Sequence, residues 1–168
     1  MKNQTRLIAE KERQEYFIYR ELDAPRNLVF KTFAQPELLV KWFLPKESNL
    51  MVNRMDCHTG GSFNFSHQGP NRMTFGFKGV YHEVLPDALI IKTSEFFGLP
   101  QKLDPVLEFT RFEQISDNKT RVSIHTICPS VDYRDNMISA NMKPTLEATY
   151  SQLDELLNTL KNKKTSSI

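Results

Sequence analysis

The sequence predicts an α+β domain: an antiparallel sheet with two short helices after its first strand and a long C-terminal helix. Three observations carry this expectation. Residues 15–22 (EYFIYREL) are rich in Tyr, Phe and Ile and stop at Asp23-Ala24-Pro25, a strand running into a helix start. Residues 49–128 then divide into short alternating segments separated by turn residues. After Pro129, the positions Ile138, Met142, Leu146, Thr149, Leu153, Leu156 and Leu160 follow steps of three or four and form one apolar stripe.

Residues 1–14 alternate charges around Leu7 and Ile8 without a period, and residues 162–168 are polar and basic, so both read as frayed tails around a single domain at 15–161. Pro25 suits a first helical turn because it has no amide hydrogen to lose there, and Leu28, Val29 and Phe33 follow at helical spacing. Gln35-Pro36-Glu37 repeats the start signal before Leu38, Leu39, Trp42 and Phe43, and Pro45 ends this second short helix. Turn chemistry at Thr59-Gly60-Gly61, Gln68-Gly69-Pro70-Asn71, Pro86-Asp87, residues 98–105 and Asp117-Asn118 delimits strands at 50–55, 62–66, 74–85, 89–96, 106–115 and 120–128. Phe63/Phe65, Phe75/Phe77/Tyr81 and Val122/Ile124 recur every second residue, which gives each strand one apolar face. Gly76 and Gly79 both permit a bulge that would reverse the alternation, so the inward side of strand 74–85 stays open. In the C-terminal stripe Pro144 would clash with the carbonyl of Ala140, and Asn141 tolerates the left-handed conformation, which predicts a break at 141–144. The remaining helix of about 17 residues, roughly 25 Å, is long enough to cross the sheet.

Composition narrows the function. The chain has 168 residues, 39% hydrophobic and 25% charged, enough for one core. Its formal charge of +2 is too close to balance to create a nucleic-acid or membrane-surface field. No run approaches the roughly 18–20 apolar residues of a membrane span, and the start lacks the apolar stretch of a secretory signal, so a cytoplasmic location is expected. Cys57 and Cys128 are far apart without CxxC spacing, which speaks against a metal site or disulfide framework. His58, His67, His82 and His125 are isolated, with His82 and His125 out of register with their apolar neighbours. No His-x-x-x-His, nucleophile elbow or phosphate loop occurs, so no metal or cofactor is expected. Twelve Phe in a domain of this size are the unusual feature.

Several segments carry a resemblance. Arg20-Glu21-Leu22-Asp23-Ala24-Pro25 with Val29-Phe30, then Pro36-Glu37-Leu38-Leu39 and Lys41-Trp42-Phe43-Leu44-Pro45, are followed by Asp56 with Gly60-Gly61 and by Gly79-x-Tyr81-x-Glu83-x-x-Pro86. Pro129-Ser130, Arg134-Asp135, Asn141-Met142 and Tyr150-x-x-Leu153-Asp154-Glu155-Leu156 complete the series. In order and spacing these resemble the activator of heat-shock-protein-90 ATPase C-terminal-domain-like family, within the START-like (SRPBCC, polyketide cyclase/lipid transport) superfamily, over roughly residues 15–161. The resemblance implies a helix-grip fold, a curved antiparallel sheet wrapped around the C-terminal helix with a cavity between them. The sequence departs from the family at Leu44 and Asn141, where Gly is usual, and at Ala148-Thr149, where many members have Gly-Trp.

Fold does not decide function, and three readings follow. The first is a non-enzymatic domain binding a small hydrophobic or amphipathic molecule, as a monomer or homodimer, with Trp42, Phe63, Phe65, Phe75, Phe77, Tyr81, Phe109, Met142, Leu146 and Tyr150 as cavity candidates and Phe112 beside them. The same aromatics would equally fill a solid core; the resemblance favours the cavity. The second is a cyclase- or hydrolase-type enzyme acting on an aromatic or acyl substrate. In it Tyr81 and Glu83, two apart and on one face of a regular strand, act as acid and base with Arg54 or Arg111 as oxyanion partner. The third is a co-chaperone-like interaction domain touching a chaperone through its surface.

Overall fold

The computed structural model describes residues 3–165. It is an α+β fold whose elements run β1 (Arg6–Ile8), β2 (Glu15–Leu22), α1 (Arg26–Ala34), α2 (Pro36–Leu39), β3 (Met51–Met55), β4 (Ser62–Gln68), β5 (Thr74–Leu85), β6 (Leu89–Phe97), β7 (Val106–Ser116), β8 (Lys119–Ile127), α3 (Val131–Ser139) and α4 (Met142–Thr165). The eight strands form one open, curved sheet in the order β1-β2-β8-β7-β6-β5-β4-β3, every neighbouring pair antiparallel. Hairpins link β3 through β8 in sequence, so turn chemistry builds five of the seven pairings. β2 reaches β8 across the whole chain, which makes this pairing a product of packing rather than of a local turn.

The strand pattern works as period-two burial predicts. Along β2 half-buried and buried residues alternate without exception, so Tyr16, Ile18, Arg20 and Leu22 face inward. α1 lays Leu28, Val29, Phe30 and Thr32 against the sheet, and Phe30 and Phe33 both meet the Phe112 ring edge-on, at 5.3 and 5.1 Å between centroids. α2 is a single turn ending at Leu39, shorter than the spacing to Phe43 implied; the chain continues through further turns that seat Trp42 at 4% exposure.

Two elements depart from the sequence expectation. Within residues 1–14, read as a frayed tail, Arg6–Ile8 forms β1 and pairs Leu7 with Ile18. Three residues are too few to show an alternation. At the other end α4 continues through Thr165, past the expected boundary at 161, while residues 166–168 of the expected C-terminal tail lie outside the described residues.

The predicted break is present. α3 is capped by the Ser130 hydroxyl, which accepts from the Tyr133 amide at 3.1 Å, and it ends at Ala140. Asn141 then takes φ +64°, and Pro144 falls in the first turn of α4, where a missing amide costs nothing. The buried stripe of α4 centres on Thr149, Tyr150, Leu153 and Leu157 rather than on Leu156. Eleven residues from Leu146 come close to three full turns, which returns Leu157 to the sheet and rotates Leu156 aside. Burying Leu153 and Leu157 completely stabilises the helix on the sheet by roughly 1.5–3 kcal/mol each. Gln152 adds polar ties, donating to the carbonyls of Trp42 and Leu44 at 3.1 and 2.9 Å.

Arg20 is the unusual core residue. It is 1% exposed, donates to Thr5 Oγ1 at 3.2 Å and to the Asp154 carboxylate, and lies 3.7 Å from Glu147. Its guanidinium also sits 5.7 Å from the Tyr150 ring centre. One side chain thus links the chain leading into β1, the strand β2 and the helix α4.

Candidate functional site

Between the concave face of the sheet and α4 lies a cavity of about 280 Å3, closed at one side by the α1–α2 turns and at another by Met137 of α3. Of the ten residues expected to line it, Trp42, Phe65, Phe77, Tyr81, Met142, Leu146 and Tyr150 do so. Trp42 is both wall and anchor: its indole N–H donates to the Thr32 carbonyl at 2.9 Å while its ring packs on Phe33, Phe43 and Tyr150. Phe63 is buried beside the wall, stacked on Phe65 at 5.0 Å and tilted against Tyr81 at 5.2 Å. Phe75, near the start of β5, is stacked on Phe96 at 6.2 Å and lies away from the cavity lining.

Phe109 is on the wrong face. Val106, Glu108 and Thr110 line the cavity, so Phe109 between them points to the outer side of the sheet, where it stacks on His125 at 5.6 Å and lies beneath Arg111. Phe112, three residues on, faces inward; period two forbids both from sharing a face. His125 points away from Ile124 as its register implied, held by Glu15 at 2.7 Å and stacked on Phe17 at 4.3 Å.

The Tyr81–Glu83 pair is likewise separated. Tyr81 stands opposite Lys92 but Glu83 stands opposite Ile91, because a bulge at His82 inserts one residue into β5. Tyr81 and Val84 therefore face inward, whereas His82 and Glu83 face out. Arg54 is bound to Asp56 at 2.6 Å, and Arg111 is exposed over Phe109. These four side chains do not converge on a reacting atom.

Register brings together a different set. Tyr81 pairs with Lys92, Lys92 with Glu108, Glu108 with Thr126, and Thr126 with Tyr16, so five polar side chains form one continuous row across β5, β6, β7, β8 and β2. All five line the cavity. The next row, Val84–Ile90–Thr110–Ile124–Ile18, is apolar apart from Thr110, whose hydroxyl donates to Glu108 at 3.3 Å. Lys92 and Glu108 form an ion pair at 3.2 Å with side chains only 17% and 20% exposed, and the ammonium lies 5.3 Å from the Phe63 ring centre. Sequence reasoning missed Tyr16, Lys92, Glu108 and Thr126. Their only local signal is a charged or hydroxyl residue at an inward step of an otherwise apolar alternation, as in Ile90-Ile91-Lys92.

Burial sets the protonation of the row. It pushes the phenols of Tyr16, Tyr81 and Tyr150 well above their ordinary value, and the nearby Glu108 carboxylate pushes each in the same direction. All three are therefore neutral hydrogen-bond donors. Burial also raises the Cys57 thiol. Thr126 is 0% exposed and its hydroxyl, beside Tyr16 but out of hydrogen-bonding geometry, has no partner. The cavity is thus a mainly apolar chamber whose donor-rich polar row carries a balanced pair of charges, with the hydroxyl side chains of Ser94, Thr110, Thr145 and Thr149 also in its lining.

Larger hollows of about 430 and 550 Å3 lie beside β1 and α4, but they are open surface depressions lined mainly by polar and charged side chains. Among the described residues no cluster of three or more His, Cys, Asp or Glu is placed to hold a metal ion, and no helix is long and apolar enough to cross a membrane. Cys57 and Cys128 are free thiols.

Comparison with known proteins adds the family context. The family model described as activator of Hsp90 ATPase homolog 1-like protein matches residues 23–158. Among solved structures, a protein from Rhodobacter sphaeroides superposes with a TM-score of 0.81 at 17% identity, covering 92% of this chain and 99% of that one. A protein from Nitrosomonas europaea gives 0.75 at 26% identity over 92% and 99%, and one from Staphylococcus epidermidis gives 0.77 at 25% over 89% and 93%. No curated protein matches the chain.

Proposed function

The chain belongs to the activator of Hsp90 ATPase homolog 1-like family, and on that premise we propose that it binds a small hydrophobic or amphipathic molecule between its sheet and α4. The observation that carries this reading is a cavity of about 280 Å3 walled by Trp42, Phe65, Phe77 and Leu146 inside an otherwise close-packed core. A packed interior does not keep such a volume without consequence, since its lining forfeits contacts on one side. The size lies just below the range of roughly 300–1,000 Å3 typical of ligand pockets and above the ~150 Å3 that accommodates benzene. The occupant therefore has one or two rings, or a short branched chain.

The joint between α3 and α4 is the natural way in. Met137 and Met142 flank it and both line the cavity, and unbranched Met side chains rearrange more cheaply than branched ones. Native mass spectrometry of the folded and denatured protein tests the reading directly. A stoichiometric small molecule released on denaturation is the expected result. An empty protein whose Trp42 fluorescence responds to no single-ring probe would overturn it. Phe77→Ala, which widens the wall, should shift selectivity toward larger probes.

A further inference from the structure

The cavity's polar row specifies the chemistry of the occupant further. Building on the ligand-binding reading, we infer that the site selects an uncharged molecule of one or two rings carrying a hydroxyl or carbonyl oxygen, which docks on the row Tyr81–Lys92–Glu108–Thr126–Tyr16.

Two features of the row lead there. The first is charge balance. Lys92 and Glu108 neutralise one another at 3.2 Å, with the Thr110 hydroxyl also given to Glu108. A carboxylate ligand would place two anions around one ammonium away from water, and an ammonium ligand would place two cations around one carboxylate. Either leaves an uncompensated charge in a largely desolvated chamber, whereas a neutral ligand leaves the pair intact. The second is donor excess. The Tyr16 and Tyr81 phenols stay protonated, and Thr126, a residue of the cavity lining, has a buried hydroxyl without a partner. A buried hydroxyl without a partner is costly, and an oxygen atom on the ligand would satisfy it. The ring system meanwhile rests on Trp42, Phe65 and Phe77, and most of the other hydroxyls in the lining are already given away, Thr110 to Glu108, Thr145 to the Asn141 carbonyl and Thr149 to the Thr145 and Leu146 carbonyls, with Ser94 and Tyr150 the remaining hydroxyl side chains outside the row.

The test is a set of probes of nearly equal shape: toluene, acetophenone, benzyl alcohol, benzoate and benzylammonium, titrated against the full chain by calorimetry and by Trp42 fluorescence. Acetophenone and benzyl alcohol should bind roughly threefold to tenfold more tightly than toluene, the effect of one buried hydrogen bond. Benzoate and benzylammonium should bind at least about tenfold more weakly than the neutral oxygen compounds. Charge-unbalancing variants then sharpen the assignment: Glu108→Gln frees the Lys92 ammonium and should raise benzoate affinity at least about tenfold, while Lys92→Met should do the same for benzylammonium. If benzoate matches acetophenone in the unaltered protein, or toluene outranks both neutral oxygen compounds, the inference falls while the ligand-binding reading stands. If none of the five binds, both fall. The ranking in the unaltered protein decides the matter even where a variant does not fold.

Discussion

Removing the Asp154 carboxylate tests the buried junction that holds α4 over the cavity. Arg20 has a side chain with 0% exposure, and Asp154, 25% exposed, is its nearest anionic partner. In Asp154→Ala the guanidinium keeps Thr5 at 3.2 Å and Glu147 at 3.7 Å, but Glu147 is 43% exposed and the longer contact does not replace the lost one. Breaking a buried pair by deleting one partner costs about 3–5 kcal/mol, and the remaining Glu147 together with the partial exposure of Asp154 places this case near the lower end, about 3 kcal/mol. For a chain of this length that corresponds to a fall in Tm of roughly 6–12 °C, a large share of typical stability. Arg20→Met/Asp154→Ala should be more stable than Asp154→Ala alone, because the double variant no longer buries an underpaired charge. Thermal and urea unfolding followed through Trp42 reads both quantities. A Tm within about 1 °C of the parent for Asp154→Ala, or a double variant no more stable than the single one, would refute the reasoning.

Other expectations follow from the same structure. Tyr16, Tyr81 and Tyr150 have phenol pKa values raised above the unfolded value of 10.0, so the unfolded chain loses these protons first as the pH rises. Their contribution is intact below about pH 10 and declines above it by about 1.4 kcal/mol per phenol per pH unit; tyrosinate absorbance that rises for all five Tyr before unfolding begins would contradict this. Trp42, the single Trp, should emit at short wavelength as a 4% exposed indole and respond to cavity occupancy; Trp42→Phe forfeits the bond to Thr32 and should cost about 1 kcal/mol in urea unfolding. Gly79→Ala would set a Cβ 1.8 Å from the Thr93 carbonyl oxygen and 2.8 Å from the Phe63 ring, so β5 and β6 must shift at a cost of about 1–3 kcal/mol; an unchanged Tm would show that the approach is looser. Glu83→Gln, on the outer face beyond the bulge, should leave probe affinities in the calorimeter unchanged.

Much of the architecture is legible in the sequence because its signals are local. β5 begins and ends where the alternation of residues 74–85 does, β2 coincides with EYFIYREL, and the α3–α4 break follows from Asn141 and Pro144 alone. Each depends on the sterics and periodicity of a few consecutive residues; the aromatic and apolar alternation that supplied the cavity candidates is local in the same way, whereas the cavity itself was implied by the family resemblance, and Trp42, Phe65, Phe77, Tyr81, Met142, Leu146 and Tyr150 line it. β1 escaped because Arg6–Ile8 has meaning only once Ile18 lies beside Leu7.

What only the tertiary structure decided is how the strands are aligned, and that determines the chemistry of the site. Period two tells which residues of one strand share a face, but nothing in Lys92, Glu108 or Thr126 taken singly says that they stand side by side. Their row exists because cross-strand register sets them opposite one another across four consecutive pairings. The same dependence explains the failed candidates. One extra residue at His82 turns Glu83 outward, and the parity of β7, settled by whichever of Glu108 and Phe109 packs toward α4, sends the more hydrophobic of the two to the outer face. Local sequence thus determined a sheet, a broken helix and an aromatic interior, while register, a relation between distant segments that settles during packing, decided which polar groups that interior presents to a ligand.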